Sequence, residues 1–172
     1  MSTRALVRVY GAKPPRKPLL TFYKHQDGYP SWLGQRIKTA TWKDRNHASE
    51  AHLRDVGVQL LTKLKVEQVE FRKKAEKSNI AWAKKNNKPA PKRDVWDLDF
   101  YLEPEMAKTP VRTLARQSDV SYVYDLYPAE TLSAMRKDGT NFTPLLIKVS
   151  GTKPVKTLYE GRIVNFKPQE TK

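Results

Sequence analysis

A run of positive charge with one tryptophan inside it is the part of this sequence best suited to chemistry with a polyanion. Residues 72–93 hold nine basic residues against the single acid Glu76, a net charge of +8. Basic side chains neutralise phosphates, and an exposed indole stacks on unpaired bases. A solvated helix surface, with Ile80 and Trp82 packed on the body, is the alternative interpretation. We predict that this run, the basic arm, binds nucleic acid through Arg72, Lys73, Lys74, Lys77, Trp82, Lys84, Lys85, Lys88, Lys92 and Arg93.

A second basic group surrounds the N-terminal segment of the chain. Lysines outnumber arginines in the basic arm, which favours contacts with the phosphate backbone over reading of base edges. We therefore expect no sequence specificity. The second group extends the same surface if the arm lies beside it, and its members are Arg4, Arg8, Lys13, Arg16, Lys17 and Lys24.

The segment from His25 to Pro30 combines groups capable of acid–base chemistry with a turn signature. Asp27 can bond its own backbone, Gly28 supplies positive φ, and Pro30 keeps Tyr29 out of the helical region. We interpret these residues as a structural turn. A small hydrolase or nuclease built on His25, Asp27 and Tyr29 is the alternative, as is an N-terminal nucleophile at Ser2 after removal of Met1.

The remaining chemical groups favour neither a metal nor a nucleotide cofactor. Three histidines without any cysteine make no zinc spacing, and the seven glycines form no phosphate-binding loop. The D-x-D pair of the acidic group could hold Mg²⁺, but the sequence places no third carboxylate beside it. We expect no metal and no cofactor, and that acidic group consists of Asp94, Asp97, Asp99, Glu103 and Glu105.

Hydrophobic periodicity predicts the elements that position these residues. Alternation predicts strands over residues 3–10 and 19–25, which form a hairpin, and further strands over 120–127, 145–150 and 157–166. Ser31 is expected to cap a short helix, and a second helix starts at Asn46 or Ser49 and continues into the basic arm until Pro89 and Pro91 end it. Residues 131–137 read as another short helix, and 95–102 as either a strand or an acidic aromatic segment.

The order of these elements predicts one α+β domain over residues 1–172, with a mainly antiparallel sheet and the arm projecting from it. A chain of 172 residues can bury one core. The absence of cysteine and of long apolar runs fits a cytoplasmic protein without membrane association. Residues 1–93 carry the entire net charge of +15, because they hold 22 of the 33 basic residues and 7 of the 18 acidic ones. This asymmetry points to a polyanionic partner.

Two segments resemble the opening of a family of small, functionally uncharacterised phage and prokaryotic proteins, which begins with a T-R-x-L strand and continues into Y-x-x-x-D-G-Y-P. They are Thr3-Arg4-Ala5-Leu6-Val7 and the stretch from Phe22 to Pro30, and residues 121–126 are similar to the family's later aromatic strand. The resemblance implies an α+β fold and a mobile-element setting, without implying an activity. The lysine-rich basic arm departs from the family pattern.

These observations together predict a non-enzymatic, phage-type accessory protein that acts in the host cytoplasm during host takeover. Its basic half would bind DNA, RNA or a host nucleoprotein machine. A rival hypothesis is an inhibitor of a host enzyme or defence complex, docking through its basic face on an acidic protein surface. An inhibitor would depend on a few aromatic anchors such as Trp82 or Trp96, whereas a nucleic-acid binder would lose affinity gradually as lysines are neutralised.

Overall fold

A computed structural model describes residues 3–11, 16–25, 27–41, 50–89, 100–129, 134–135, 141–142 and 144–168. Helices and strands over these residues confirm the predicted α+β class. The strands are β1 (Arg4–Tyr10), β2 (Pro18–Lys24), β3 (Phe100–Leu102), β4 (Val120–Pro128), β5 (Ala134–Met135), β6 (Asn141–Phe142), β7 (Leu145–Thr152) and β8 (Val155–Arg162). The helices are α1 (Gln35–Thr41), α2 (Glu50–Lys85) and α3 (Val111–Gln117).

Six strands form one sheet in the order β3-β2-β1-β4-β7-β8, and β5 pairs with β6 separately. The predicted hairpin is confirmed, since β1 and β2 pair antiparallel with Val7 opposite Phe22. Four of the five pairings among these six strands are antiparallel, and only β1 with β4 is parallel. The sheet is therefore mainly antiparallel, as predicted, with one parallel junction at its centre.

The main core lies between one sheet face and helices α1 and α2. Alternation places Ala5, Val7 and Val9 of β1 on this face, where they pack against Leu53, Leu60 and Leu64 of α2 and against Leu33 and Ile37 beside and within α1. The three leucines of α2 share one helix face because their spacings are close to whole helical turns. This packing confirms the predicted second helix and anchors its N-terminal half on the sheet.

A smaller core covers part of the other sheet face. Leu6 of β1 and Tyr23 of β2 pack against Leu114 of α3, together with Val120 and Val123 of β4. Helix α3 is absent from the sequence prediction, because seven residues with one buried leucine give too short a periodic signal. Helix α3 covers only part of this sheet face, and polar side chains occupy positions beside it.

Two local predictions are wrong. Ser31 does not cap a helix, because the helical turn over Pro30–Gly34 has Tyr29, two residues earlier, at its N-cap position and runs directly into α1. Ala134–Met135, expected in a short helix, form a strand paired with Asn141–Phe142, since tertiary pairing overrides a weak helical pattern. The uncertain segment 95–102 ends in a strand, β3, and its residues 95–99 lie outside the described ranges.

Candidate nucleic-acid interface

The described part of the basic arm, residues 72–89, consists of the C-terminal part of α2, which ends at Lys85, and the four residues that follow it. The side chains of Lys73, Lys74, Lys77, Lys84, Lys85 and Lys88 are exposed, and that of Arg72 is half-buried. From Leu64, which is 1% exposed, to the helix end at Lys85, α2 extends about 30 Å. Five of the exposed lysines therefore lie on the last part of α2, and Lys88 follows its end, while Lys92 and Arg93 lie outside the described ranges.

The apolar stripe by which α2 faces the core continues toward the end of the helix, where its side chains are aromatic and exposed. Phe71 and Trp82 follow Leu53, Leu60 and Leu64 on the same helix face, because each separation is close to a whole number of turns. Their exposed fractions are 72% and 61%. The predicted exposure of Trp82 is thus observed, and Phe71, which continues the apolar spacing of the core leucines, joins it on the surface.

The helix end that carries Trp82 is capped by its own backbone. Asn87 adopts φ 49°, the Lys88 N–H donates to the Ala83 carbonyl at 2.9 Å, and the Asn87 N–H donates to the Lys84 carbonyl at 3.4 Å. The Asn86 side-chain amide donates to the Trp82 carbonyl at 2.7 Å. This is a Schellman C-cap, so the helix ends through Asn87 before Pro89 is reached.

The second basic group does not form one exposed surface. Arg8 is 5% exposed, and its Nε and Nη2 donate to Asp125 at 2.6 and 2.9 Å. Lys24 is 2% exposed, with Nζ 5.2 Å from the Trp32 ring centre. These two residues are corrections to the predicted interface, because a buried cation with partners inside the fold cannot reach phosphates.

The other members of that group are dispersed. Arg4 pairs with Asp119, which also accepts a hydrogen bond from the Tyr23 hydroxyl at 2.8 Å. The guanidinium of Arg16 lies 4.3 Å from the Tyr127 ring centre. Lys17 is exposed, and Lys13 lies outside the described ranges. The basic arm is therefore the stronger candidate site.

The D-G-Y-P turn is tied into the fold at Gly28. The Gly28 N–H donates to the Thr3 carbonyl at 2.7 Å, and the buried Tyr124 hydroxyl donates to the Gly28 carbonyl at 2.7 Å. A Cβ on Gly28 would lie 2.6 Å from the Ala5 Cβ, so glycine is required here by close approach, and the positive φ expected at Gly28 is found at Asp27 instead, at 55°. His25, Tyr29 and Pro30 flank this junction, and its geometry supports the structural interpretation of the turn.

A polar row crosses the sheet face beside α3 and was missed by the sequence analysis. Register places Arg8, Asp125, Lys148 and Glu160 in line across β1, β4, β7 and β8. Lys148 pairs with Glu160 at 2.9 Å, and the Tyr127 hydroxyl donates to Glu160 at 2.9 Å. The sequence shows a charged residue in each of these strands, at a position that alternation places on the face away from the main core. Only the register of the strands shows that these charges lie opposite one another.

Burial and hydrogen-bond partners shift the pKa values of Arg8 and Glu160 in this row and of the nearby tyrosines Tyr10 and Tyr127. Burial by itself would lower the pKa of Arg8, but the hydrogen bonds and charge of Asp125 outweigh burial and raise that pKa. Burial, reinforced by Asp125, raises the pKa of Tyr10 to about 12. Burial and the hydrogen bond to Glu160 raise the pKa of Tyr127 to about 12. Hydrogen bonds from Lys148 and Tyr127 lower the pKa of Glu160.

Of the acidic group, only Glu103 and Glu105 fall within the described ranges. Across those ranges, no cluster of three or more His, Cys, Asp or Glu side chains could hold a metal ion. No described helix combines the length and apolarity needed to cross a membrane. Neither protein-family models, nor curated proteins, nor solved structures provide a match to this chain.

Proposed function

We propose that this protein binds nucleic acid, largely without sequence specificity, through the basic arm. The observation that carries the proposal is that five lysines on the last part of α2, Lys88 just after it and the aromatic side chain of Trp82 are exposed together. Residues 72–89 hold seven basic residues against Glu76, a net charge of +6. When such a segment binds a phosphate backbone, its lysines would displace condensed counterions into the solution.

Lysine determines the kind of contact that the arm would make. Each ammonium is a flexible point charge, which contacts a phosphate without the planar fork that arginine offers to a guanine edge. Arg72 is the one arginine in the described part of the arm, and it is half-buried. The affinity would therefore come from phosphates and depend steeply on salt, while sequence would matter little.

The test is binding of labelled single-stranded and double-stranded DNA and RNA at about 50 to 300 mM salt, followed by fluorescence anisotropy. Lys74, Lys77 and Lys85 are changed together to Gln, which keeps good helix propensity. The control changes Lys108, Lys153 and Lys156, which are exposed away from the arm, to Gln. Both variants lose the same charge, so they differ only in its position.

We expect the arm variant to flatten the slope of log K against log salt by about 0.7 to 0.9 for every phosphate that it no longer neutralises. The control should keep a slope near that of the parent protein. Equal slopes for the two variants would assign the effect to net charge and reject the arm as the site. Negligible binding of every polymer near physiological salt would reject nucleic-acid binding and leave the acidic protein surface as the partner to seek.

A further inference from the structure

Two aromatic–lysine pairs repeat along one face of α2, the first beginning at Phe71, directly before the basic arm, and the second lying within the arm. Lys74 follows Phe71 by three residues, and Lys85 follows Trp82 by three residues. The two pairs are eleven residues apart, which is about three turns, so they point in nearly the same direction about 16 Å from each other. Each aromatic ring thus has a cation beside it at the same angular offset.

From this repeat we propose that the arm accepts single-stranded nucleic acid, with bases stacked on Phe71 and Trp82 and the adjoining phosphates contacted by Lys74 and Lys85. The inference rests on the proposed function and adds the strandedness of the ligand. In a duplex, neighbouring base pairs cover the flat faces of each base, and separating them costs a few kcal/mol per step. A single strand presents its base faces to an aromatic side chain without that cost.

The surroundings of the two rings match this ligand. They are the most exposed large apolar side chains in the described part of the chain, at 72% for Phe71 and 61% for Trp82. The arm around them has a net charge of +6 over residues 72–89, which complements phosphates. The Schellman cap at Asn87 holds the backbone beside Trp82, so little order has to be created on binding.

The chain supplies a matched control pair for the aromatic residues. Val69 and Ile80 are also eleven residues apart and exposed, at 41% and 46%, but each precedes an aromatic residue by two positions. Two residues along a helix turn the side chain by about 200°, so this pair lies on the opposite face. Phe71→Ala with Trp82→Ala can therefore be compared with Val69→Ala and Ile80→Ala on the same helix.

The experiment measures Kd for four probes at one salt concentration. They are single-stranded DNA and RNA of about 12 nucleotides, within the site sizes of known single-strand binders, a duplex of equal length, and an abasic strand of equal length. We expect each aromatic substitution to weaken binding of the base-containing single strands about fivefold or more. Binding of the duplex and the abasic strand should be almost unchanged, and the Val69 and Ile80 variants should resemble the parent with all four probes.

Equal weakening for single strand, duplex and abasic strand would overturn the stacking inference, and so would equal weakening by the aromatic and aliphatic substitutions. If the lysine variant still flattens the salt slope in that case, nucleic-acid binding stands and only the strandedness fails. If no probe binds, both proposals fail. Circular dichroism of each variant checks that the helix is retained, and comparison of the DNA and RNA strands shows which polymer the arm prefers.

Discussion

Arg8 and Asp125 show how a charged residue that looks like surface can belong to the interior. The carboxylate of Asp125 accepts two hydrogen bonds from Arg8, and Arg8 Nη1 donates a third to the Thr109 carbonyl at 2.8 Å. All the donated bonds stay within the fold. The pair is therefore a structural element between β1 and β4, and removing one partner would leave the other charge buried without compensation.

We predict that Asp125→Ala lowers the free energy of unfolding by about 3 to 5 kcal/mol. Replacing both residues, as Arg8→Met with Asp125→Leu, removes both charges and should cost much less than the single change. Urea denaturation of the three proteins measures this difference. A single variant as stable as the double one would show that the Arg8 charge is solvated and that the pair does not bridge the strands.

At the scale of single residues, the sequence predicted the exposure of the arm's described lysines but not the burial of Arg8 and Lys24 in the hairpin. The charge run of the arm is readable in the sequence, and the structure leaves Lys73, Lys74, Lys77, Lys84 and Lys85 exposed on the helix. The fate of Arg8 depends on a partner 117 residues away, and that of Lys24 on Trp32 folding over it. No local pattern distinguishes these two cations from Lys17, which remains exposed.

Helix α2 has an N-terminal part whose apolar stripe is buried and a C-terminal part whose apolar stripe is exposed. Its first part has leucines buried against the sheet, and its second part carries the same apolar stripe into solvent as Phe71 and Trp82. The periodicity was readable from the sequence, because it is a property of the helix alone. The position at which the stripe becomes exposed, between Leu64 and Phe71, was not readable from the sequence, because it depends on which parts of the fold cover the helix.

This division predicts unequal effects of alanine along one helix. Leu64→Ala should cost about 2 to 5 kcal/mol of stability, since its side chain is 1% exposed and packs in the main core. Phe71→Ala and Trp82→Ala should change stability by less than about 0.5 kcal/mol, because both side chains are exposed. Chemical denaturation checks all three. A cost at Trp82 comparable to that at Leu64 would mean that its ring packs on the body.

At the scale of the whole molecule, titration of the tyrosines couples stability to alkaline pH. Tyrosine in an unfolded chain titrates near pH 10, whereas the pKa values of Tyr10 and Tyr127 are raised to about 12 in the folded protein. Between these values the folded state binds more protons than the unfolded state. The free energy of unfolding therefore falls as pH rises from about 10 to about 12.

We expect Tyr10→Phe and Tyr127→Phe each to reduce this alkaline loss of stability, because each removes one proton that the folded state holds more tightly. The measurement is urea denaturation at a series of pH values from about 9 to 12. The double variant should show the smallest dependence of stability on pH in that window. Identical slopes in the parent and the double variant would contradict the assignment.

The overall class followed from the order of elements, but the sheet order did not. The pairing of β1 with β2 joins neighbours in the sequence, so turn signals and alternation suffice to predict it; β7 and β8 are also neighbours, but they were predicted as strands without a pairing. The parallel pairing of β1 with β4 joins segments separated by β2, β3 and the helices α1, α2 and α3. Its prediction requires knowing which face of each strand is covered, and that is a property of the assembled molecule.

The position of β1 between β2 and β4 has a consequence for the nascent chain. When the first 93 residues have left the ribosome, β1 can pair with β2 on one side only. Its other edge has no partner, and the side chain of Arg8 lacks Asp125, until β4, which begins at Val120, has been synthesised. An unpaired central edge is prone to association with other chains during synthesis. The sheet of the half that carries all the net positive charge therefore needs β4 from the half that has no net charge. A fragment that contains only residues 1–93 would lack the strand that pairs with this edge of β1.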